Sequence, residues 1–101
     1  MSLGDLQNLA MLAVARLGPR AVSREVRDLL AHSVGRDVSV PTVFVTLTRL
    51  ENQGLVRSRA GDAPRRGGRQ MRVFSITDAG WEALRDTRRA SEQLWEGLKT
   101  P

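Results

Sequence analysis

The sequence predicts a mainly α-helical fold with one small β-hairpin, and three observations lead to this prediction. Apolar residues recur at helical spacing in four segments of the chain. Between the third and fourth segments, two short alternating stretches enclose a run rich in Gly and Pro, which is typical of two strands joined by a long turn. With 101 residues, the chain is long enough for one hydrophobic core and too short for two. We therefore expect residues 1–101 to form a single domain.

The first two helical segments have recognisable ends. Helix 1 covers residues 1–18, and the pair Gly18-Pro19 closes it. Every residue from 9 to 15 is apolar, so helix 1 lacks a wet face over two turns and needs cover on more than one side. A second subunit is one way to supply that cover. Helix 2 is predicted to begin at Ser23, acting as its N-cap, and to end at Gly35.

The third helical segment carries the clearest start and stop signals. Ser39 suits the N-cap, Pro41 fits the first turn, where no amide proton is needed, and Gly54 suits a left-handed exit. We predict that the apolar residues form one buried stripe made of Val40, Val43, Phe44, Leu47 and Leu50. The opposite face is predicted to expose Thr42, Val45, Thr46, Arg49 and Gln53.

A hairpin and a last helix complete the predicted fold. Residues 55–60 and 70–77 are the candidate strands, and residues 61–68 contain too much Gly and Pro to continue either one. The last helix is predicted to begin after Thr77, which can cap it, and to reach about residue 98. Arg88 and Ser91 interrupt its apolar stripe, which argues against an ideal coiled coil.

The positive charge of the chain is concentrated in the predicted hairpin. The formal net charge is +5 at pH 7, and residues 57–72 carry six arginines against Asp62 alone. The rest of the chain is therefore neutral overall. Such a concentration of arginine in one short segment indicates an anionic partner that meets the hairpin.

The composition argues against several other classes of protein. The chain has no cysteine and a single histidine, His32, so it lacks the clustered ligands of zinc and iron–sulfur sites, and we expect no cofactor and no metal. Phosphate-binding and nucleophile-elbow motifs are also absent, so we do not expect an enzyme. The most apolar run is far shorter than the roughly 20 residues of a spanning helix, and no basic leader precedes it. We expect a cytoplasmic protein without membrane contact.

Three helices followed by a hairpin is the order of a winged helix-turn-helix domain. In that fold, the third helix enters the major groove of DNA and the hairpin, or wing, follows the backbone. The wing is assigned to residues 55–77. The candidate DNA-binding residues of helix 3 are Thr42, Val45, Thr46 and Arg49, and those of the wing are Arg65, Arg66 and Arg69. The alternatives are an ordinary exposed helix face, with Arg49 paired to Gln53 or Glu51, and a wing that only keeps the protein soluble.

Several stretches resemble PadR-type transcriptional regulators over nearly the full chain. They are LAMLAVARL at 9–17, SVPTVFVTLTRLE at 39–51, GLV at 54–56, GGR at 67–69 and FSITDAG at 74–80. The resemblance implies a cytoplasmic homodimeric repressor of the short-tailed branch, paired through helix 1 and the C-terminal helix at 77–98. Relatives usually carry Tyr where this chain has Phe44, which we interpret as a core residue. Because the short-tailed branch has no separate effector domain, the resemblance implies that any effector uses the dimer interface or the wing.

Two further hypotheses remain open at this stage. Trp95, near the end of the dimerising helix, can stack with its symmetry mate over a flat aromatic effector, although packing is the more ordinary role for Trp81 and Trp95. The competing function is a winged-helix module whose helix 3 face binds an acidic or apolar protein and touches no DNA. RNA binding lacks support, because only 4% of the residues are aromatic and they provide no stacking platform.

Overall fold

The structure is a computed structural model and describes residues 4–61 and 71–100. Its regular elements, in chain order, are α1 (Asp5–Leu17), α2 (Ser23–Val34), α3 (Val40–Asn52), β1 (Val56–Ala60), β2 (Arg72–Ile76) and α4 (Asp78–Trp95). A short 3-10 turn, Gly18–Arg20, follows α1. The predicted mainly helical fold with one small hairpin is confirmed, and its element order is that of a winged helix-turn-helix.

Most of the predicted helix ends match the structure. The Ser39 hydroxyl accepts a hydrogen bond from the Thr42 N–H at 3.2 Å, and Pro41 lies in the first turn of α3. Thr77 caps α4 in the same way, with the Gly80 N–H at 3.0 Å from its hydroxyl. The predicted cap at Ser23 is wrong by one residue, since Val22 occupies the N-cap and no side chain caps α2. α4 ends at Trp95 rather than near residue 98.

One hydrophobic core joins all four helices and the hairpin. α1 lies at its centre and contacts α2, α3, α4 and β2, and Met11 and Val14 are almost completely buried. Phe74 of β2 and Leu84 of α4 close the core from the other side. The all-apolar stretch of α1 is covered on several sides within the chain, yet Leu12 remains 47% exposed. The core therefore leaves one apolar position of α1 without cover.

The two residues at the edges of the α3 stripe are the reverse of the prediction. Phe44, expected in the core, is 45% exposed, and Thr46, expected on the surface, is only 9% exposed. The Thr46 hydroxyl donates to the Thr42 carbonyl at 2.8 Å, so the helix itself satisfies this buried polar group. Phe44 faces a groove beside the hairpin instead of the core. The buried face of α3 therefore includes Thr46 in place of Phe44.

The hairpin is an antiparallel pair that is tied to the helices at its base. Val56 pairs with Ile76, and Ala60 pairs with Arg72. The Thr77 N–H donates to the Leu55 carbonyl at 3.2 Å, and the Thr77 hydroxyl donates to the Gly54 carbonyl at 2.7 Å. These bonds connect the start of α4 to the turn that follows α3. The base of the hairpin, where β1 begins and β2 ends, is therefore held next to the end of α3.

Candidate nucleic-acid interface

The exposed face of α3 presents three of the four predicted contact residues. Thr42, Val45 and Arg49 are spaced three and four residues apart and all lie on the surface. Val45 is 46% exposed, which is a large fraction for a valine in the middle of a helix. Among the described residues, no ion pair or side-chain hydrogen bond engages Arg49. This face combines a hydroxyl, a methyl surface and an arginine without a carboxylate partner.

Thr46 does not belong to that face. Its side chain is buried and its hydroxyl bonds to the preceding turn of α3, so it cannot reach a molecule lying on the surface. The sequence interpretation missed Thr48, which is half-buried, and Asn52, which is exposed. Both lie on the same outer side of α3 as Val45. Successive residues turn about 100° around a helix, and positions 45, 48 and 52 fall closer to the centre of the exposed arc than Thr46 does.

The strands carry further arginines. Arg57 and Arg59 are exposed and share one face of β1, because alternate residues of a strand point to the same side. Arg72 is exposed at the start of β2. The predicted tip residues Arg65, Arg66 and Arg69 lie outside the described residues. The sequence interpretation counted the strand arginines in its charge total but did not single them out.

A groove of about 650 Å³ separates α3 from the hairpin. Its lining residues come from the start of α2, the first half of α3 and the start of β2, and they are Val22, Ser23, Arg24, Val40, Phe44, Met71 and Arg72. Phe44 and Met71 supply exposed apolar walls, and the two arginines supply positive charge. Phe44, which was predicted to be a core residue, instead lines this groove.

A chain of hydrogen bonds connects α3 to both strands. Oε2 of Glu51 accepts hydrogen bonds from the Ser58 N–H at 2.8 Å and from the Ser58 hydroxyl at 2.7 Å. The Ser58 hydroxyl in turn accepts from Nε of Arg72 at 2.8 Å. Glu51 is therefore engaged with β1, and the predicted alternative in which it pairs with Arg49 does not apply.

A model of the transcriptional regulator PadR-like family matches residues 11–86. The chain belongs to this family. The match includes α2, α3, both strands and the first half of α4. No curated protein sequence matches the chain.

Solved structures of PadR-like regulators share this fold. A PadR-like transcription factor from Bacteroides fragilis superposes with a TM-score of 0.77 at 22% identity, covering 90% of this chain and 84% of the other. A PadR family regulator from Eggerthella lenta gives a TM-score of 0.70 at 26% identity, covering 89% and 77%. Bacillus subtilis PadR, solved in complex with operator DNA, gives 0.65 at 17% identity, covering 93% of this chain and 49% of that one.

Two further grooves of this PadR-like chain meet at Leu12. One, of about 500 Å³, lies between α1 and α4; Leu12, Trp81 and Leu84 form its apolar part, and Arg85, Arg88 and Glu92 line it as well. The other, of about 330 Å³, lies between α1 and α2 and includes Leu12, Leu29 and Val34. Trp95 lines neither groove; it is 61% exposed at the last residue of α4.

The described part of the chain provides no metal site and no membrane segment. Within residues 4–61 and 71–100, no three His, Cys, Asp or Glu side chains come together as metal ligands. No helix in those ranges is both long and apolar enough to cross a bilayer. His32, the single histidine, is exposed in the last turn of α2.

Proposed function

We propose that this PadR-like chain is a sequence-specific DNA-binding repressor that acts as a homodimer on a pseudo-palindromic operator. The observation that carries the proposal is the juxtaposition of two surfaces. The exposed face of α3, whose width suits the major groove, lies beside a hairpin whose sequence carries the whole positive excess of the chain. One surface reads bases while the other neutralises the phosphates next to them.

The residues of α3 and the wing divide this work by their chemistry. Arg49 can donate two parallel hydrogen bonds to a guanine, Val45 can meet a thymine methyl group, and the Thr42 hydroxyl can bond a base or a phosphate. Thr46, first predicted as a contact residue, is buried, and its hydroxyl is engaged with the Thr42 carbonyl of the same helix. The wing contacts assigned from the sequence remain Arg65, Arg66 and Arg69, which carry charge to the backbone.

The groove between α3 and the wing suits one strand of the duplex. When a helix occupies the major groove and the wing follows the backbone, the intervening strand passes between them. Arg24 and Arg72 provide positive charge for its phosphates. Phe44 and Met71 offer apolar surface for the deoxyribose rings.

The apolar grooves of α1 are the surfaces assigned to dimerisation. A second copy that covers Leu12 and Trp81 removes from water two apolar side chains that the single chain leaves exposed. Two-fold pairing through α1 and α4 then sets two copies of α3 about one helical turn of DNA apart. Trp95 stays a candidate for stacking over a flat aromatic effector at this interface. The role is regulatory rather than catalytic, and we place it in the cytoplasm.

Gel-shift and footprinting experiments on the DNA upstream of the protein's own gene test this function. We expect a discrete shift and a footprint with two protected half-sites, because a two-fold dimer makes the same contacts twice. An unrelated duplex of equal length is the control for non-specific binding. If neither duplex is bound at low salt, the DNA-binding function is wrong, and the exposed Phe44 and Val45 then favour a protein-interaction module.

A further inference from the structure

Glu51 is an acidic residue on the helix that is assigned to DNA, and this placement needs a reason. Glu51 projects from the last turn of α3 towards β1 and is connected through Ser58 to Arg72. A carboxylate beside a phosphate backbone opposes binding through its charge. Yet Glu51 does not stand free, because both of its hydrogen bonds go to Ser58 on β1.

The register of the hairpin explains why Ser58 accepts this partner. Ser58 lies opposite Phe74, and at this pair both N–H groups point away from the neighbouring strand. The Phe74 N–H donates to the Ala21 carbonyl at 2.9 Å, and the Ser58 N–H donates to Glu51 at 2.8 Å. One edge of the hairpin is therefore held by the chain before α2, and the other edge is held by α3.

The same contact also orients an arginine. The Ser58 hydroxyl donates its one proton to Glu51, so its lone pairs are free to accept from Nε of Arg72. Nη2 of Arg72 lies 3.4 Å from the Ser58 carbonyl. With two of its nitrogens directed to Ser58, Arg72 is held at the edge of the groove between α3 and the wing. A two-stranded hairpin is marginally stable alone, so such anchors decide where it lies.

We propose that Glu51 is a positioning residue for DNA binding: through Ser58 it fixes the wing against α3 and holds Arg72 towards the DNA strand between them. The inference rests on the proposed DNA-binding function. Glu51 contacts no DNA in this arrangement. It strengthens binding because it keeps the reading helix and the wing in register, so that both engage the duplex without first being ordered.

The substitution Glu51→Ala tests this role, because charge and positioning predict opposite signs. Removal of one negative charge near DNA strengthens binding if charge alone matters. We expect instead an affinity for the upstream duplex about tenfold weaker, with a shallower salt dependence as the wing loses phosphate contacts. The control is Glu82→Ala, which removes the same charge from an exposed position of α4. A folded Glu51→Ala variant that binds as well as, or more tightly than, the wild type overturns the proposal.

Two conservative variants keep the test decisive if Glu51→Ala does not fold. In Glu51→Gln, the amide oxygen can still accept both Ser58 hydrogen bonds, so we expect it to regain most of the affinity. Ser58→Ala removes the hydroxyl bonds to Glu51 and Arg72 but keeps the N–H bond, so we expect a loss between those of the two Glu51 variants. Wild-type affinity in Ser58→Ala together with weak binding in Glu51→Gln contradicts the positioning role.

Hydrogen exchange of the DNA-free protein separates this inference from the proposed function. We expect the Ser58 amide to be protected in the wild type and to exchange about tenfold faster in Glu51→Ala, because its acceptor is gone. Absence of DNA binding by the wild type overturns the proposed function, and the exchange rate then decides whether Glu51 anchors the wing. Unchanged exchange at Ser58 contradicts the anchor in either case.

Discussion

At the scale of single residues, Arg49 is the side chain of α3 best suited to recognise a base. It is exposed, and no carboxylate among the described residues pairs with it. We expect Arg49→Ala to weaken binding to the operator by about 1–3 kcal/mol and to relax the preference at one position of each half-site. Binding to random DNA changes much less. Competition binding against a set of single-base operator variants measures both effects.

The control for Arg49 is another exposed arginine far from α3. Arg89→Ala removes an equal charge from α4, where Arg89 pairs with Asp86. We expect its operator preference to equal that of the wild type. If Arg49→Ala lowers affinity for operator and random DNA by the same factor, Arg49 contacts a phosphate and not a base.

Thr46 supplies a test of the structure that is independent of DNA chemistry. Its hydroxyl is buried and bonds only to the Thr42 carbonyl within α3, so the isosteric Thr46→Val loses one local hydrogen bond and fills the same space. We expect the free energy of unfolding to change by less than about 1.5 kcal/mol and the operator preference to stay the same. Chemical denaturation and operator competition measure the two quantities. An altered base preference contradicts the buried position of Thr46.

Phe44 and Thr46 mark the limit of what a helical pattern predicts about individual side chains. The apolar stripe correctly located Val43, Leu47 and Leu50 in the core. Phe44 and Thr46 flank that stripe, and residue type alone assigned them to the wrong sides. Thr46 tolerates burial because its own helix supplies an acceptor, and Phe44 lines the groove between α3 and the start of β2. Neither fact is encoded in the periodicity.

At the scale of elements, the start of α4 packs closely against the rest of the chain at Gly80. An added side chain has less room there than at any other described glycine. A Cβ at Gly80 would collide with the Leu55 carbonyl and lie 2.8 Å from Cγ2 of Ile76. Because backbone is the obstacle, the helix must move away. We expect Gly80→Ala to lower the free energy of unfolding by about 3 kcal/mol, as overpacking of a core contact does. Denaturant unfolding measures the change.

The neighbouring position provides the control for Gly80. Ala79→Gln enlarges an exposed side chain in the same turn of α4, and we expect it to change stability by less than about 0.5 kcal/mol. A Gly80→Ala variant as stable as Ala79→Gln means that α4 is not seated against the Gly54–Leu55 turn in the way the structure describes.

In the proposed function the wing acts through charge, so its effect depends on salt. If Arg65, Arg66 and Arg69 engage phosphates in both subunits of a dimer, these six contacts contribute roughly −5 to the slope of log affinity against log salt. In the double variant R65A/R66A, which loses four of the six, we expect the slope to become less steep by roughly 3.5 and the affinity for all duplexes to drop by a similar factor. Titrations at several salt concentrations measure the slope. A slope unchanged by the substitutions assigns the phosphate contacts to other residues.

The elements themselves followed from local signals in the sequence. Ser39, Pro41 and Thr77 act within three residues of their positions, so the starts of α3 and α4 could be predicted from neighbouring residues alone. The contact of Glu51 with Ser58 could not. It depends on the strand register and on the angle at which the hairpin leaves α3, and both are set by distant contacts such as Phe74 with Ala21.

At the scale of the whole molecule, the excess of positive charge and the exposed apolar side chains of α1 and α4 belong to different segments. The positive excess belongs to residues 57–72, and β1, which lies in this range, contacts α3. Leu12 of α1 and Trp81 of α4 are exposed apolar residues that line the groove between these two helices. Because the segments outside the hairpin are neutral overall, two copies can approach through these helices without strong net repulsion. One chain can thereby present separate surfaces to DNA and to a second copy.

Leu12 is the residue that joins the two apolar grooves, and it decides the predicted assembly. We expect Leu12→Glu to convert the dimer to a monomer, because pairing would remove its carboxylate from water at a contact that leucine makes apolar. The position is half exposed in the single chain, so the variant can fold. Sedimentation velocity measures the mass, and circular dichroism verifies the helices. We expect the monomeric variant to bind the operator more weakly, because a monomer contacts one half-site without the second.

Ala90→Glu is the control: it adds the same charge to the opposite side of α4, and we expect it to remain dimeric. A dimeric Leu12→Glu would place the interface elsewhere.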